Sequence, residues 1–127
     1  MVTPCAMQRG FTALVSFLLG CSASTDARPE TADYIIEAIL VPQCGRGGCH
    51  DPDAQPHGLA FDTIADSLAA MQTTQRGMPM VVPGDPDGSR LVTVLVDPNR
   101  PMPPDQPLAN ADIDLIARWI AAGAEGL

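Results

Sequence analysis

Cys44-Gly45-Arg46-Gly47-Gly48-Cys49-His50 is the stretch on which the reading of this chain turns. Two cysteines bracket four residues, three of them glycine, and a histidine follows the second cysteine directly. The glycines remove side-chain obstacles and permit positive φ, so the segment can bulge and still bring both sulfurs to one place. On its amino side Tyr34, Ile35, Ala38, Ile39 and Val41 fall at helical spacing. They predict a helix from Asp33 to about Val41, which Pro42 brings to a stop. On its carboxyl side, Gly45 to Gly58 is rich in Gly, Pro and Asp and predicts a loop.

The residue types in this stretch point to a small set of chemistries. A haem of the c type is held by two cysteine sulfurs, and its iron is ligated by the histidine directly after the second cysteine. Two residues usually separate those cysteines; here there are four. Cys44, Cys49 and His50 therefore read as a haem-attachment site with a widened loop. A disulfide between Cys44 and Cys49 is the plain structural alternative, contributing about 2 kcal/mol by closing a short loop. A zinc site of Cys44, Cys49, His50 and His57 is a third reading, weakened because adjacent Cys49 and His50 rarely both reach one tetrahedral ion.

Further along, Asp62 is placed to cap a helix from Thr63 to about Thr73, with Leu68 and Met71 facing inward. Ser89 can cap a short helix through Leu91, Val92, Leu95 and Val96, although the β-branched run 91–96 also suits a strand. Two irregular segments rich in proline, 77–88 and 98–107, flank it. Asn110 is placed to cap a last helix running to about Ala122, with Asp112 and Asp114 favoured by the positive end of its dipole. Ile113, Ile116, Ala117 and Ile120 form one apolar stripe, widened by Leu115 and Trp119, and Gly123 suits its end.

A haem iron in a low-spin carrier takes a second axial ligand, and a methionine thioether opposite histidine raises its potential. Met71, Met78, Met80 and Met102 are the candidates in the body of the chain. Met102 stands in Arg100-Pro101-Met102-Pro103-Pro104, where prolines fix φ and stiffen the loop that presents the sulfur. Arg46 and Arg100 are candidates to pair with haem carboxylates.

The chain of 127 residues is read as a leader, a tether and one domain. Arg9 followed by Phe11-Thr12-Ala13-Leu14-Val15-Ser16-Phe17-Leu18-Leu19 has the order of a secretory signal, which assigns residues 1–20 to a cleaved signal peptide. Leu18-Leu19-Gly20-Cys21 resembles the bacterial lipobox, making Cys21 the expected lipidation site and the membrane a partner through its acyl chains. Ser22 resembles the outer-membrane sorting pattern, so an exported protein of the outer membrane or periplasmic face is expected. Residues 21–30 read as a flexible tether with a reach on the order of 15 Å, and 31–127 as the domain.

A net charge of −8, with seven arginines and no lysine, excludes nucleic acid as a partner class. The acidity fits a solvated surface and can steer a basic redox partner. Beyond the leader only Tyr34, Phe61 and Trp119 are aromatic, so large side chains supply little core volume.

Taken together, several stretches resemble the class I cytochrome c-like domains, and especially the planctomycete-type cytochrome c domains of bacterial surface lipoproteins. They are Ile39-Leu40 leading to Cys44, Gly48-Cys49-His50, Gly58-Leu59, Val82-Pro83-Gly84-Asp85-Pro86 with Ser89, Met102-Pro103-Pro104, and Trp119-Ile120 with Gly123-Ala124. The resemblance covers most of residues 35–124 and implies an all-α fold, a small bundle of about four helices with long Pro/Gly-rich loops. It further implies one covalent haem c, with His50 proximal and Met102 distal, and one-electron exchange with redox partner proteins. No constellation for an enzyme is found, since a peroxidase needs a distal acid-base pair and His50 and His57 are the only histidines. The alternative function is a haem-free lipoprotein module for binding or assembly, closed by the Cys44–Cys49 disulfide.

Overall fold

The computed structural model describes residues 26–127. The signal peptide, Cys21 and the first half of the tether lie outside the described residues. Among the described residues, four helices, a short 3-10 turn at Pro56–Gly58 and one short ribbon make up the regular structure. Helix α1 runs without a break through Ala32–Ile35, a π-helical turn at Ile36–Leu40, and Val41–Cys44. Helices α2 (Ile64–Met71), α3 (Arg90–Leu95) and α4 (Asn110–Ala121) follow, with strands β1 (Thr74–Gln75) and β2 (Met78–Pro79) paired antiparallel between α2 and α3. None of these helices is long and apolar enough to cross a membrane.

Pro42 does not stop α1 as its type predicts. A proline inside an α-helix lacks its N–H and crowds the carbonyl four residues back. The preceding turn is widened, with Val41 N–H donating to Ile36 O five residues back, and this shift gives the ring room. The helix then continues to Cys44, and Gly45 N–H closes it on Val41 O at 3.0 Å.

Two caps differ from expectation by one residue. Thr63, not Asp62, caps α2: its Oγ1 accepts from Asp66 N–H, and it donates to the Asp66 carboxylate in return, a reciprocal arrangement Asp62 could not make. Ala109, not Asn110, stands at the cap of α4, and Asn110 is the first helical residue. The 91–96 run is helical through Leu95, which buries Leu91, Val92 and Leu95 on one side as a helix of that length can. Ser89 precedes it fully buried, its Oγ accepting from Val82 N–H at 2.8 Å and donating to Asp85 O at 2.7 Å. That hydroxyl ties the Val82-Pro83-Gly84-Asp85-Pro86 loop to the start of α3.

The core is a single cluster in which Ile35, Ile36 and Leu40 of α1 and Leu115, Ile116, Trp119 and Ile120 of α4 are inaccessible to solvent. Trp119 supplies the largest buried volume, and its Nε1–H donates to Glu125 O at 3.0 Å. The same carbonyl accepts from Ala32 N–H, joining the end of the chain to the start of α1. Gly123 ends α4 at φ +110, where a side chain is disfavoured. Residues 26–30, within the segment read as tether, lie against α4: Arg28 pairs with Asp26 and Asp112, and Arg118 with Glu30 and Asp26.

Candidate functional site

Helix α1 delivers Cys44 as its last residue, and the loop that follows is fixed by close backbone packing. A Cβ on Gly45 would stand 2.4 Å from Phe61 O and 2.8 Å from Asp62 Cα, so only glycine lets these two strands of chain meet. Gly48 takes φ +84, the conformation its type supplies at no steric cost. Cys49 N–H donates to Arg46 O and His50 N–H to Cys44 O, each at 2.9 Å, and Phe61 N–H donates to His50 O at 2.7 Å. The Asp51 carboxylate braces the loop from outside, accepting from the N–H groups of Ala54, Gly48 and Asp53. Those donors hold its pKa below the usual carboxylate range.

His50 is half-buried, set edge-on to the Phe61 ring at a centroid separation of 5.5 Å and an angle of 88°. Its Nδ1 lies 3.3 Å from Leu59 O. A carbonyl only accepts, so Nδ1 carries the proton and Nε2 presents its lone pair. Burial lowers the pKa of this imidazole, which keeps it neutral and able to ligate. Burial pushes the Cys44 thiol up to about 11, assisted by the neighbouring Cys49, so Cys44 is protonated at neutral pH. Both cysteines are free thiols in the structure, without the disulfide of the alternative reading. Among the described residues no group of three or more His, Cys, Asp and Glu side chains is arranged to hold a metal ion, which weighs against the zinc reading.

Met102 reaches the same cavity from the loop that follows α3. The Asp97 carboxylate accepts from Asn99 N–H at 2.8 Å and Arg100 N–H at 3.1 Å, turning the chain after α3. Met102 N–H donates to Val94 O at 2.9 Å and fixes the loop against that helix. Met102 is 42% exposed and, with Val96, one of two exposed large apolar residues among the described residues.

Cys44, Cys49, His50 and Met102 line one cavity of about 440 Å³. Leu91, Val94 and Leu95 of α3, with Leu59, Phe61 and Met80, complete an apolar wall, and such volumes suit a cofactor-sized ligand. The four residues singled out from sequence are therefore brought together. Arg100 lines the cavity as well, whereas Arg46 does not. Met80 also reaches the wall but is buried in the core cluster, its backbone bonded to Thr73 and Leu91; Met71 is fully buried, and Met78 sits in β2.

Arg76 and Arg90 line the cavity without being singled out by the sequence, and His57, a candidate only in the zinc reading, lines it too. The usable signal was Arg76-Gly77 between Gln75 and Met78, a two-residue turn whose φ values of 52 and 81 make a tight hairpin. Arg90 carries no local mark, and His57 none beyond its ligand type. They arrive with α3 and with the short 3-10 turn Pro56–Gly58, in which His57 adopts φ 61.

A haem fits this site on three observations: an apolar cavity of suitable size, two free thiols in its lining, and an imidazole whose Nδ1 is engaged while Nε2 is available. No curated protein and no solved structure gives a match to the chain. A family model does, and it begins at Gly47, just past Cys44, and ends before α4. Residues 47–106, which carry Cys49-His50 and Met102, match the family described as Planctomycete cytochrome C, the family that the sequence resembles.

Proposed function

We propose that the chain is a one-electron carrier with a single haem c bonded to Cys44 and Cys49 and ligated by His50 and Met102. It is not an enzyme in this reading. The convergence of these four side chains on one apolar cavity, from α1, the glycine loop and the proline-braced loop after α3, carries it. When bound, the haem supplies a ferric–ferrous couple. The residues of the chain hold the coordination constant: the Leu59 carbonyl orients the His50 ring, and the Val94 carbonyl fixes the Met102 backbone. The apolar wall of α3 excludes water, which limits reorganisation around a changing charge.

Lipidation of Cys21 and export to the outer membrane or periplasmic face complete the proposal, with redox partner proteins as donor and acceptor. A pyridine haemochrome spectrum of the chain, produced in a host with cytochrome c maturation, tests the central claim. The expected result is the spectrum of haem joined through two thioethers. A product carrying no covalent haem, with a mass two hydrogens short, would instead establish the disulfide-closed module.

A further inference from the structure

The geometry points to Arg76, Arg90 and Arg100 as a recognition site for the carboxylate groups at the edge of the cavity's ligand, an assignment that rests on the haem reading. Each comes from a different element: the β1–β2 turn, the first residue of α3, and the loop that leads to Met102. Seven basic residues stand against fifteen acidic ones in the chain, so an arginine has carboxylates to spare as partners. Arg28 and Arg118 take them, in ion pairs beside α4. The three at the cavity make no salt bridge among the described residues, and the one carboxylate in the cavity wall, Asp97, has its Oδ1 on the backbone N–H groups of Asn99 and Arg100.

Three like charges gathered on one apolar cavity repel, and an anionic ligand reverses the sign of that cost. Arg76 adds an independent mark. It holds φ 52, a left-handed conformation disfavoured for a long side chain, where the hairpin would more readily take asparagine. A planar guanidinium meets a carboxylate through two parallel hydrogen bonds, and a porphyrin of the haem type carries two carboxylates on one edge.

The test measures reversible binding rather than electron transfer. Mesohaem, whose ethyl groups cannot form thioethers, and its dimethyl ester, which lacks the charges, are titrated into the haem-free full chain in detergent, followed by absorbance. The chain is expected to bind mesohaem on the order of tenfold more tightly than the ester. That ratio is expected to fall to near one in the triple variant Arg76→Gln, Arg90→Gln, Arg100→Gln with an unchanged circular dichroism spectrum. Arg46→Gln, which removes one charge away from the cavity, is expected to leave the ratio unchanged. Equal binding of acid and ester by the native chain, an undiminished ratio in the triple variant, or an equal drop in Arg46→Gln overturns the assignment. Failure of both porphyrins to bind overturns the haem reading itself, and the assignment with it.

Discussion

The molecule has two halves built on opposite terms. Around Trp119, helices α1 and α4 form a core in which seven large side chains are inaccessible to solvent, and the ion pairs of Arg28 and Arg118 close it from outside. Around the cavity, the chain is mostly loop: a glycine bulge, a 3-10 turn, a two-residue hairpin and a proline-braced segment, held by backbone hydrogen bonds. The first half carries stability through burial. The second surrounds a cavity of about 440 Å³ lined by Cys44, Cys49, His50 and Met102. A region that encloses a cavity cannot also be the place where packing is densest.

Truncating the packed half should be most damaging. Trp119→Ala removes the largest buried side chain and is expected to cost about 3–5 kcal/mol, a large part of the stability of a domain this small. Thermal unfolding followed by circular dichroism measures it. A loss under ~1 kcal/mol would show that the helical half is not where stability resides.

The cavity half is exposed to alkali through Cys44. Its raised pKa means that the folded haem-free chain keeps a proton that the unfolded chain gives up. That contribution is complete below pH 9 and is lost as pH rises to about 11. The loss amounts to roughly 2 kcal/mol. Urea unfolding at pH 8 and pH 11 should show it in the native chain and not in Cys44→Ala.

Gly45→Ala addresses the point where the halves touch, because the new Cβ meets the Phe61 backbone at 2.4 Å and neither partner is a movable side chain. A loss of about 1–2 kcal/mol is expected, together with a lower yield of covalent haem in a maturation-competent host. A gain in stability, as replacing a helix-end glycine would ordinarily give, would contradict the close approach.

Met102→Ala should change the stability of the haem-free chain by less than ~0.5 kcal/mol, since its side chain is substantially exposed. In the haem-loaded protein the same change is expected to lower the reduction potential, as loss of a thioether ligand does. Met80→Ala should do the reverse, costing about 2–5 kcal/mol through a cavity in the core while leaving the ligand in place. If Met80→Ala rather than Met102→Ala abolished the thioether signature in the spectrum, the distal role would pass to Met80.

The smallest effect is expected at the outer clamp. The Arg28 guanidinium, aided by the Arg28 N–H and by Arg118, holds the Asp26 carboxyl well below the usual carboxylate range. The folded state keeps a charge that the unfolded chain would neutralise, so the contribution is present above about pH 4 and declines as pH falls further. The stability difference between the native chain and Asp26→Asn should therefore be small at pH 7, shrink in high salt, and be smaller still at pH 2.

Legibility in sequence divides along the same line. The stripe Ile113, Ile116, Ala117 and Ile120 with Trp119 announces α4, and local spacing and proline bracing single out Cys44, Cys49, His50 and Met102, though not their convergence. Pro42 misled because the rule that proline ends a helix assumes α-helical bonding behind it, and a widened turn is invisible in a hydrophobic pattern. The caps at Thr63 and Ala109 differ by one residue from the expected Asp62 and Asn110, since adjacent polar residues compete for the role and only backbone geometry decides. The ribbon of Thr74–Gln75 and Met78–Pro79 is too short to leave a period. Arg90 and Arg76 went unnoticed for a related reason: convergence from separate elements is a tertiary property, and no spacing along the chain encodes it.

The widened turn in α1 also sets an angular phase. Ala32, Ile36, Leu40 and Cys44 are spaced by four, and in a regular helix of 3.6 residues per turn each such step overshoots by about 40°, carrying Cys44 well off the line of the other three. A turn with five-residue bonding holds more residues, so the overshoot shrinks between Ile36 and Leu40. The line that begins in the core at Ala32 thus arrives at the cavity with Cys44. One continuous helix edge serves first as packing surface and then as the site's wall, with the irregular turn keeping the two in alignment.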